Sequence, residues 1–130
     1  MGARQTMIIA GVGVKGDCTA AEILTLIGQA CLAHDQDVAD IRMIATIPEK
    51  VSHPAINAAA ARLGAAVVAP HADRLAAVAP RCLTTSERVQ NRFGLPSVSE
   101  AAALAAATDA AHLLGPRLAS LRATVALVRL

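Results

Sequence analysis

The chain has 130 residues, of which 55% are hydrophobic and 17% are charged, and this composition excludes a disordered protein. A formal net charge of +2 and a single aromatic residue, Phe93, argue against a nucleic-acid partner, because phosphate backbones require strongly basic surfaces and bases stack on several aromatic side chains. The length favours one domain over residues 1–130 with a core of its own.

Neither a membrane span nor a disulfide framework is predicted. The longest apolar runs end at Gly, Pro or charged residues well before the roughly 18 residues that a transmembrane helix needs. The N-terminal apolar run leads directly into a glycine cluster, which is typical of a strand and not of a signal peptide. The myristoylation pattern of Gly2 and Thr6 is interpreted as chance. Three widely spaced cysteines match no zinc or disulfide spacing, so a cytoplasmic protein is expected.

The first predicted elements are a strand and a glycine-rich loop. Apolar Met7–Ala10 predicts a short buried strand. Gly11, Gly13 and Gly16 then predict a loop in which the backbone turns sharply and offers N–H groups to a ligand. With Lys15 beside these groups, the segment predicts an anion site.

The next elements alternate between helix and strand. Thr19 and Glu22 have the capping-box spacing, which predicts a helix from Thr19 to about His34. A strand at 41–45, a helix at 54–63, a strand at 65–69 and a short helix at 73–78 follow. This βαβαβ order predicts a parallel sheet.

Beyond Pro80 the pattern changes to helices followed by strands. Two further capping boxes, Thr84 with Glu87 and Ser97 with Glu100, predict two helices. These helices are expected at 85–93 and 98–107, and two closing strands at 110–114 and 123–130. A short connection joins the two strands, which favours antiparallel pairing and a mixed sheet covered by helices on both faces.

The spacing of Gly11, Gly13 and Gly16 also satisfies the nominal dinucleotide fingerprint. That fingerprint requires an acidic residue at the end of the second strand to hold a ribose. Here the second strand ends in Ala45-Thr46. Dinucleotide binding is therefore not predicted, and no other cofactor is expected.

Five motifs resemble, in the same order, those of the CobE/CbiG C-terminal family of cobalamin biosynthesis. They are Gly11–Gly16, Ile44–Ile47 with Lys50, Thr85–Val89, Gly94–Val98 and Ser99–Leu104. The resemblance extends from about Met7 to the C-terminus. It implies a three-layer αβα sandwich with a mixed, mostly parallel sheet, and a role in constructing the corrin ring.

The resemblance also favours one branch of the family and marks two departures from it. The CbiG enzymes, which open the lactone of cobalt-precorrin-5A, carry domains ahead of this one, whereas the present chain begins at the glycine cluster and resembles the stand-alone CobE type of the aerobic route. His53 stands where the family often has Glu, which puts an acid or base role at that position in doubt. Arg117 stands where Lys is common, which retains the positive charge.

A corrinoid is a broad apolar ring with many acetate and propionate groups, so its site needs apolar surface and several separated cations. In an open α/β sheet such a site lies outside the carboxyl ends of the strands. With the resemblance, this position predicts a ligand-binding set of Gly11, Gly13, Lys15, Gly16, Thr46, Lys50, His53, His71 and Arg117. The expected partners are a corrinoid or precorrin and other enzymes of the pathway.

Two functions of different classes remain open at this point. One is an accessory protein that binds a corrinoid intermediate or hydrogenobyrinic acid. The other is a hydrolase acting on a ring-contracted precorrin, with Cys18 or His53 as catalytic residue. A helix start beside a lysine would favour the Cys18 thiolate, but a small residue that fills the first turn of the helix is the preferred interpretation of this position.

Other polar residues carry weaker signals. His53 and His71 have the chemistry of cobalt ligands or general bases, but without a third ligand they predict no metal site. Arg81, Arg88 and Arg92 are interpreted as an exposed helix face.

Overall fold

The computed structural model describes residues 6–130, and the pattern at Gly2 therefore lies outside the described residues. The strands are β1 Ile8–Val14, β2 Ile41–Ala45, β3 Ala66–Val68, β4 His112–Leu113, β5 Leu118–Ala119 and β6 Ala123–Arg129. The helices are α1 Ala20–Ala33, α2 Pro54–Leu63, α3 Ala72–Val78, α4 Glu87–Phe93 and α5 Val98–Ala106. In this part of the chain no helix has the length and apolarity needed to cross a membrane.

The six strands form one mixed sheet in the order β3-β2-β1-β6-β4, with β5 also paired to β6. β1, β2 and β3 are parallel, and β6 runs antiparallel to β1 at the centre of the sheet. β4 and β5 pair antiparallel with opposite ends of β6. The predicted parallel unit and antiparallel closing strands are confirmed. The two-residue strand β5 was not predicted, because it is too short for a recognisable alternation.

Helices cover both faces of the sheet, which confirms the predicted three-layer αβα sandwich. α1 and α2 pack on one face, and α3 and α5 pack on the other. Alternate residues of β1 serve the two cores: Ile8, Ala10 and Val12 face α1 and α2, whereas Ile9 belongs to the α5 side.

The predicted loop from Gly11 to Val14 is wrong, because β1 continues through it. Gly11 faces α5, where a Cβ atom would overlap the carbonyl oxygen of Ser99 and lie 2.9 Å from the Ala103 nitrogen. At Gly13 a Cβ atom would lie 2.7 Å from Thr124 Oγ1. The two glycines therefore allow close packing, and their backbones pair with neighbouring strands instead of forming a loop.

Capping residues set the start of each long helix. Thr19 caps α1 and Ser97 caps α5, each accepting a hydrogen bond from the amide three residues on, at 3.2 and 3.3 Å, as predicted. The predicted cap of α4 at Thr84 is wrong. Ser86 caps that helix, and the Thr84 hydroxyl donates to the Glu100 carboxylate instead.

Substitution of Gly11 tests the close contact between β1 and α5. Gly11→Ala is expected to lower the free energy of unfolding by at least about 2 kcal/mol, because the new methyl group meets backbone atoms that cannot rotate away. Urea unfolding followed by far-ultraviolet circular dichroism measures the change. Gly28→Ala is the matched control: no atom lies within 4 Å of its added Cβ, and alanine favours the interior of α1. Equal unfolding midpoints for Gly11→Ala and the unsubstituted protein would contradict the packing described.

Candidate ligand-binding cavity

A cavity of about 440 Å³ lies at the carboxyl ends of β1 and β2. Its lining comes from the end of β1 and the following turn at 13–16, from Ile47 and Lys50 after β2, from α4, and from the 117–124 segment that contains β5 and leads into β6. The position agrees with the prediction that a ligand site lies outside the strand ends. The volume falls within the range of small-molecule sites.

Positive charge is concentrated at this cavity. Its six basic lining residues are Lys15, Lys50, Arg88, Arg92, Arg117 and Arg122. They are half of the twelve Lys and Arg residues of the chain, whereas none of the ten Asp and Glu residues contributes to the lining. A nearly neutral protein thus presents a strongly positive local surface, which attracts anions.

Most of these cations have no acidic partner. Within residues 6–130, Arg122 is the one cavity residue that forms ion pairs, with Glu22 at 2.7 Å and with Asp17 at 3.4 Å. The other described ion pair joins Arg74 and Asp109, neither of which lines the cavity. Five cavity cations therefore remain available to a ligand.

The ion pairs of Arg122 hold one rim of the cavity. Burial alone would raise the pKa of Glu22, but the hydrogen bond from Arg122, together with the nearby polar groups of Cys18 and Thr19, outweighs it and lowers that pKa. The hydrogen bond to Glu22 in turn raises the pKa of Arg122, so the pair is ionised at neutral pH. The Arg122 carbonyl also accepts from the Lys15 amide at 2.9 Å. The turn between β5 and β6 is thereby tied to the start of α1.

Apolar side chains lie among the cations. They include Val14, Ile47, Val89, Phe93, Val98 and Leu121. Leu121 is 77% exposed, so the cavity is open to solvent at this rim. The Arg92 guanidinium lies 5.2 Å from the centroid of the Phe93 ring, which orients this cation over an aromatic face. The cavity can therefore contact both an apolar ring and its charged substituents.

A buried carboxylate fixes two segments that carry arginines of the cavity. Glu100, in the first turn of α5, is 0% exposed. Its Oε1 accepts from the amides of Leu83 and Thr84 at 3.1 and 2.8 Å, and its Oε2 accepts from the Thr84 hydroxyl and the Arg117 amide, both at 2.9 Å. These four bonds compensate for the cost of burying the carboxylate. Leu83 and Thr84 lead into α4, and Arg117 leads into β5, so one side chain aligns both segments.

The structure brings some of the predicted site residues together and separates others. Those that line the cavity are Gly13, Lys15, Gly16, Lys50 and Arg117. Those that do not line it are Gly11, Thr46, His53 and His71. The expectation that both lysines lie at one site holds geometrically, whereas Gly11 and Gly13 do not contribute to the expected cradle of glycine amides because their backbone belongs to the sheet.

The excluded residues have structural positions instead. Thr46 is 0% exposed and its hydroxyl donates to the Val12 carbonyl at 2.8 Å. His53 caps α2: its Nδ1 accepts from a first-turn amide at 3.1 Å, so Nε2 carries the proton and donates to the Gly16 carbonyl at 3.0 Å. His71 lies exposed at the start of α3. No group of three His, Cys, Asp or Glu side chains suited to a metal ion occurs between residues 6 and 130.

The environment of Cys18 disfavours a thiolate. Burial, followed by the hydrogen bond and charge of Glu22, raises the pKa of Cys18 to about 11. The nearby carboxylate therefore matters more than the positive charge of Lys15. Cys18 is 6% exposed and packs in the core shared with α1, in agreement with the simpler interpretation of this position.

Sequence reasoning missed several cavity residues. Arg88 and Arg92 are exposed, as predicted, but their spacing of four also places them together on the side of α4 that lines the cavity. Arg81 differs from them, since its guanidinium donates to the Ala111 carbonyl. No sequence pattern indicated Arg122 as a site residue, because strand β5 before it was not predicted. Glu100 did give a signal, but its capping-box spacing offered a sufficient local explanation.

Fold and cavity define an open αβα domain with a cation-rich site at the ends of its central strands. Comparison with known proteins is more specific: the family described as Cobalamin synthesis G C-terminus matches residues 8–128. The chain therefore belongs to this family, and it is a cobalamin biosynthesis protein of the CobE/CbiG C-terminal type, as the sequence motifs predicted.

Individual relatives agree with this assignment. Protein CobE from Sinorhizobium sp. is 31% identical over 120 residues, which cover 92% of this chain and 78% of that protein. The crystal structure of CobE, a protein from the cobalamin (vitamin B12) biosynthetic pathway, matches with a TM-score of 0.90 at 32% identity, covering 96% of this chain and 91% of the other. Cobalamin biosynthesis protein ChiG from Agrobacterium tumefaciens matches with a TM-score of 0.73 at 32% identity, covering 94% and 97%.

The raised pKa of Cys18 predicts low thiol reactivity. At pH 8, iodoacetamide should modify Cys18 at least about a hundredfold more slowly than a free cysteine, because only the thiolate reacts and the pKa lies near 11. Mass spectrometry of the Cys18 peptide over time gives the rate. The same reaction in urea is the control, in which the unfolded chain should react at the ordinary rate. Modification of the folded protein at the free-thiol rate would refute the assigned environment.

Glu100→Gln tests the buried carboxylate. The amide group of Gln can replace Oε2 if the Thr84 hydroxyl rotates to accept, but the Arg117 amide then loses its acceptor. We expect the free energy of unfolding to fall by at least about 2 kcal/mol in urea titrations, since a charged acceptor and one buried hydrogen bond are lost. Glu87→Gln, at an exposed position in the first turn of α4, should leave stability within about 0.5 kcal/mol. A Glu100→Gln variant as stable as this control would show that the four bonds do not matter.

Proposed function

We propose that the cavity binds a corrinoid intermediate of the aerobic cobalamin pathway, with hydrogenobyrinic acid as the first ligand to test. The observation that carries the proposal is the set of six cations, five without an acidic partner among residues 6–130, around one partly apolar cavity. A corrinoid has the complementary chemistry, because carboxylates project from the edge of an apolar ring. Membership of a cobalamin biosynthesis family limits the candidate ligands to this pathway.

The two kinds of cation would have different tasks. Lys15 and Lys50 follow adjacent parallel strands, and their flexible ammonium groups can adapt to carboxylates at several positions. Arg88, Arg92 and Arg117 present planar guanidinium groups that bind carboxylates with two parallel hydrogen bonds. Because the cavity is open at Leu121, a ring larger than its volume need not be enclosed. An open site also suits transfer of the ligand to another enzyme of the pathway.

The hydrolase alternative has less support. Cys18 is a buried thiol with a raised pKa, and both ring nitrogens of His53 bond to backbone groups. Neither residue lines the cavity. Binding without chemistry by these two residues is therefore the function proposed.

Co-elution gives a direct test of binding. The protein mixed with hydrogenobyrinic acid should carry the visible absorbance of the corrin through a size-exclusion column. The chain contains no Trp or Tyr, so absorbance above about 300 nm reports the ligand alone. Elution of all colour at the small-molecule volume, at micromolar protein, would refute the proposal.

Lys50→Ala is expected to weaken binding about tenfold to a hundredfold, because it removes a charge-assisted hydrogen bond worth roughly 1.5–3 kcal/mol. Spectrophotometric titration measures the dissociation constants. Arg62→Ala is the matched control, since Arg62 is an exposed cation in the last turn of α2 and lies outside the cavity. Equal losses for both variants would mean that the cavity is not the binding site.

A further inference from the structure

Most polar side chains of the cavity are hydrogen-bond donors. Six are permanently donating cations, and the remainder are the hydroxyl groups of Ser86, Ser120 and Thr124. No carboxylate, carboxamide or imidazole contributes to the lining. Ser86 Oγ already accepts from the Val89 amide, and Ser120 Oγ donates to the Ala123 carbonyl. The side chains therefore offer many donors, whereas their acceptors are limited to these three hydroxyl groups.

This imbalance distinguishes two forms of an otherwise identical ligand. A carboxylate brings two acceptor oxygens and a negative charge to each cation. A primary amide brings one acceptor and an NH₂ group whose two hydrogens need acceptors, and it carries no charge. Facing Arg or Lys, the NH₂ group meets other donors. Each conversion of an engaged carboxylate to an amide thus loses a charge-assisted bond and creates a donor-donor contact.

The cations come from different parts of the chain, so the same distinction applies across the whole cavity. Lys15 and Lys50 follow β1 and β2, Arg88 and Arg92 lie one turn apart on α4, and Arg117 lies in the segment before β5. A ligand bound among them is contacted from four separate parts of the chain. Several substituents of the ring therefore contact cations at the same time. The losses of binding free energy add up when several of these substituents are amides.

Mutual repulsion of the cations further favours the acid form of the ligand over the amide form. None of these five residues has an ion-pair partner in the described chain, so their charges are compensated only by solvent and salt. Bound carboxylates relieve the repulsion and neutral amides do not. Affinity for the acid form should accordingly fall as salt screens the charges, whereas affinity for the amide form should change little.

From these observations we infer that the cavity is selective for the free-acid form of its ring ligand over the amidated form. The inference rests on the proposed corrinoid function and adds a position in a reaction sequence. The bound species is one whose peripheral carboxylates have not yet been converted to amides. An amide-forming reaction is then the step that consumes the ligand. The amidated product binds the cavity more weakly than the acid does.

Paired ligands test the selectivity. Dissociation constants are measured by spectrophotometric titration for a cobalt-free corrin with free acetate and propionate groups and for the same ring with these groups as primary amides. We expect the amide form to bind at least about a hundredfold more weakly, equivalent to the loss of two or more charge-assisted bonds. Raising sodium chloride from about 50 to about 500 mM, roughly threefold below and above physiological ionic strength, should weaken binding of the acid form and narrow the ratio of the two dissociation constants.

Variants link the selectivity to the cavity. Arg88→Ala and Lys50→Ala should each weaken binding of the acid form about tenfold or more while leaving the amide form within about threefold, so the ratio shrinks. Arg62→Ala, outside the cavity, should leave the ratio unchanged. Equal affinity for acid and amide forms would overturn the inference and leave the proposed binding function intact. Binding of neither form would overturn the proposed function, and the inference with it.

Discussion

The buried carboxylate of Glu100 is the interaction on which the cavity depends. A carboxylate removed from water is costly unless hydrogen-bond donors surround it, and here four donors do so. The donors belong to the segment that leads into α4 and to the segment that leads into β5. α4 and the start of the β5 segment carry three of the six cavity cations, Arg88, Arg92 and Arg117. The placement of these three arginines thus depends on one hydrogen-bonded acidic group in the core, whereas Arg122 is held by Glu22 and Asp17.

The position of Glu100 follows in turn from the packing of α5 on β1. Gly11 and Gly13 remove side chains from the face of β1 that meets α5, and the facing helix surface is largely alanine, including Ala103. Helix and strand can therefore approach closely, which brings the first turn of α5 next to the end of β1. Lys15 lies just beyond that strand end. Small residues in the core thus determine where the charged residues of the surface converge.

The sequence was most informative where a pattern is local. The helix at Pro54–Leu63 and the strand at Ile41–Ala45 were predicted with their observed ends, because Pro, Gly and the apolar periodicity act within a few residues. The glycine cluster misled this reasoning, since a glycine can serve a turn or a close contact and the local sequence is the same for both. His53 likewise had the chemistry of a catalytic residue, but its hydrogen bonds to backbone groups of α2 and the β1 turn are visible only in the folded chain.

By itself, the sequence determined the layer architecture, the parallel β1–β3 unit and the family, because helix and strand periodicity and short motifs are properties of neighbouring residues. It also indicated Lys15, Lys50 and Arg117, which line the cavity. Tertiary structure alone decided that α4 and the β5–β6 turn add further arginines to the same cavity. It also decided that Glu100 would be buried. These outcomes depend on contacts between residues 16 or more positions apart, and no local pattern encodes which distant donors a carboxylate will meet.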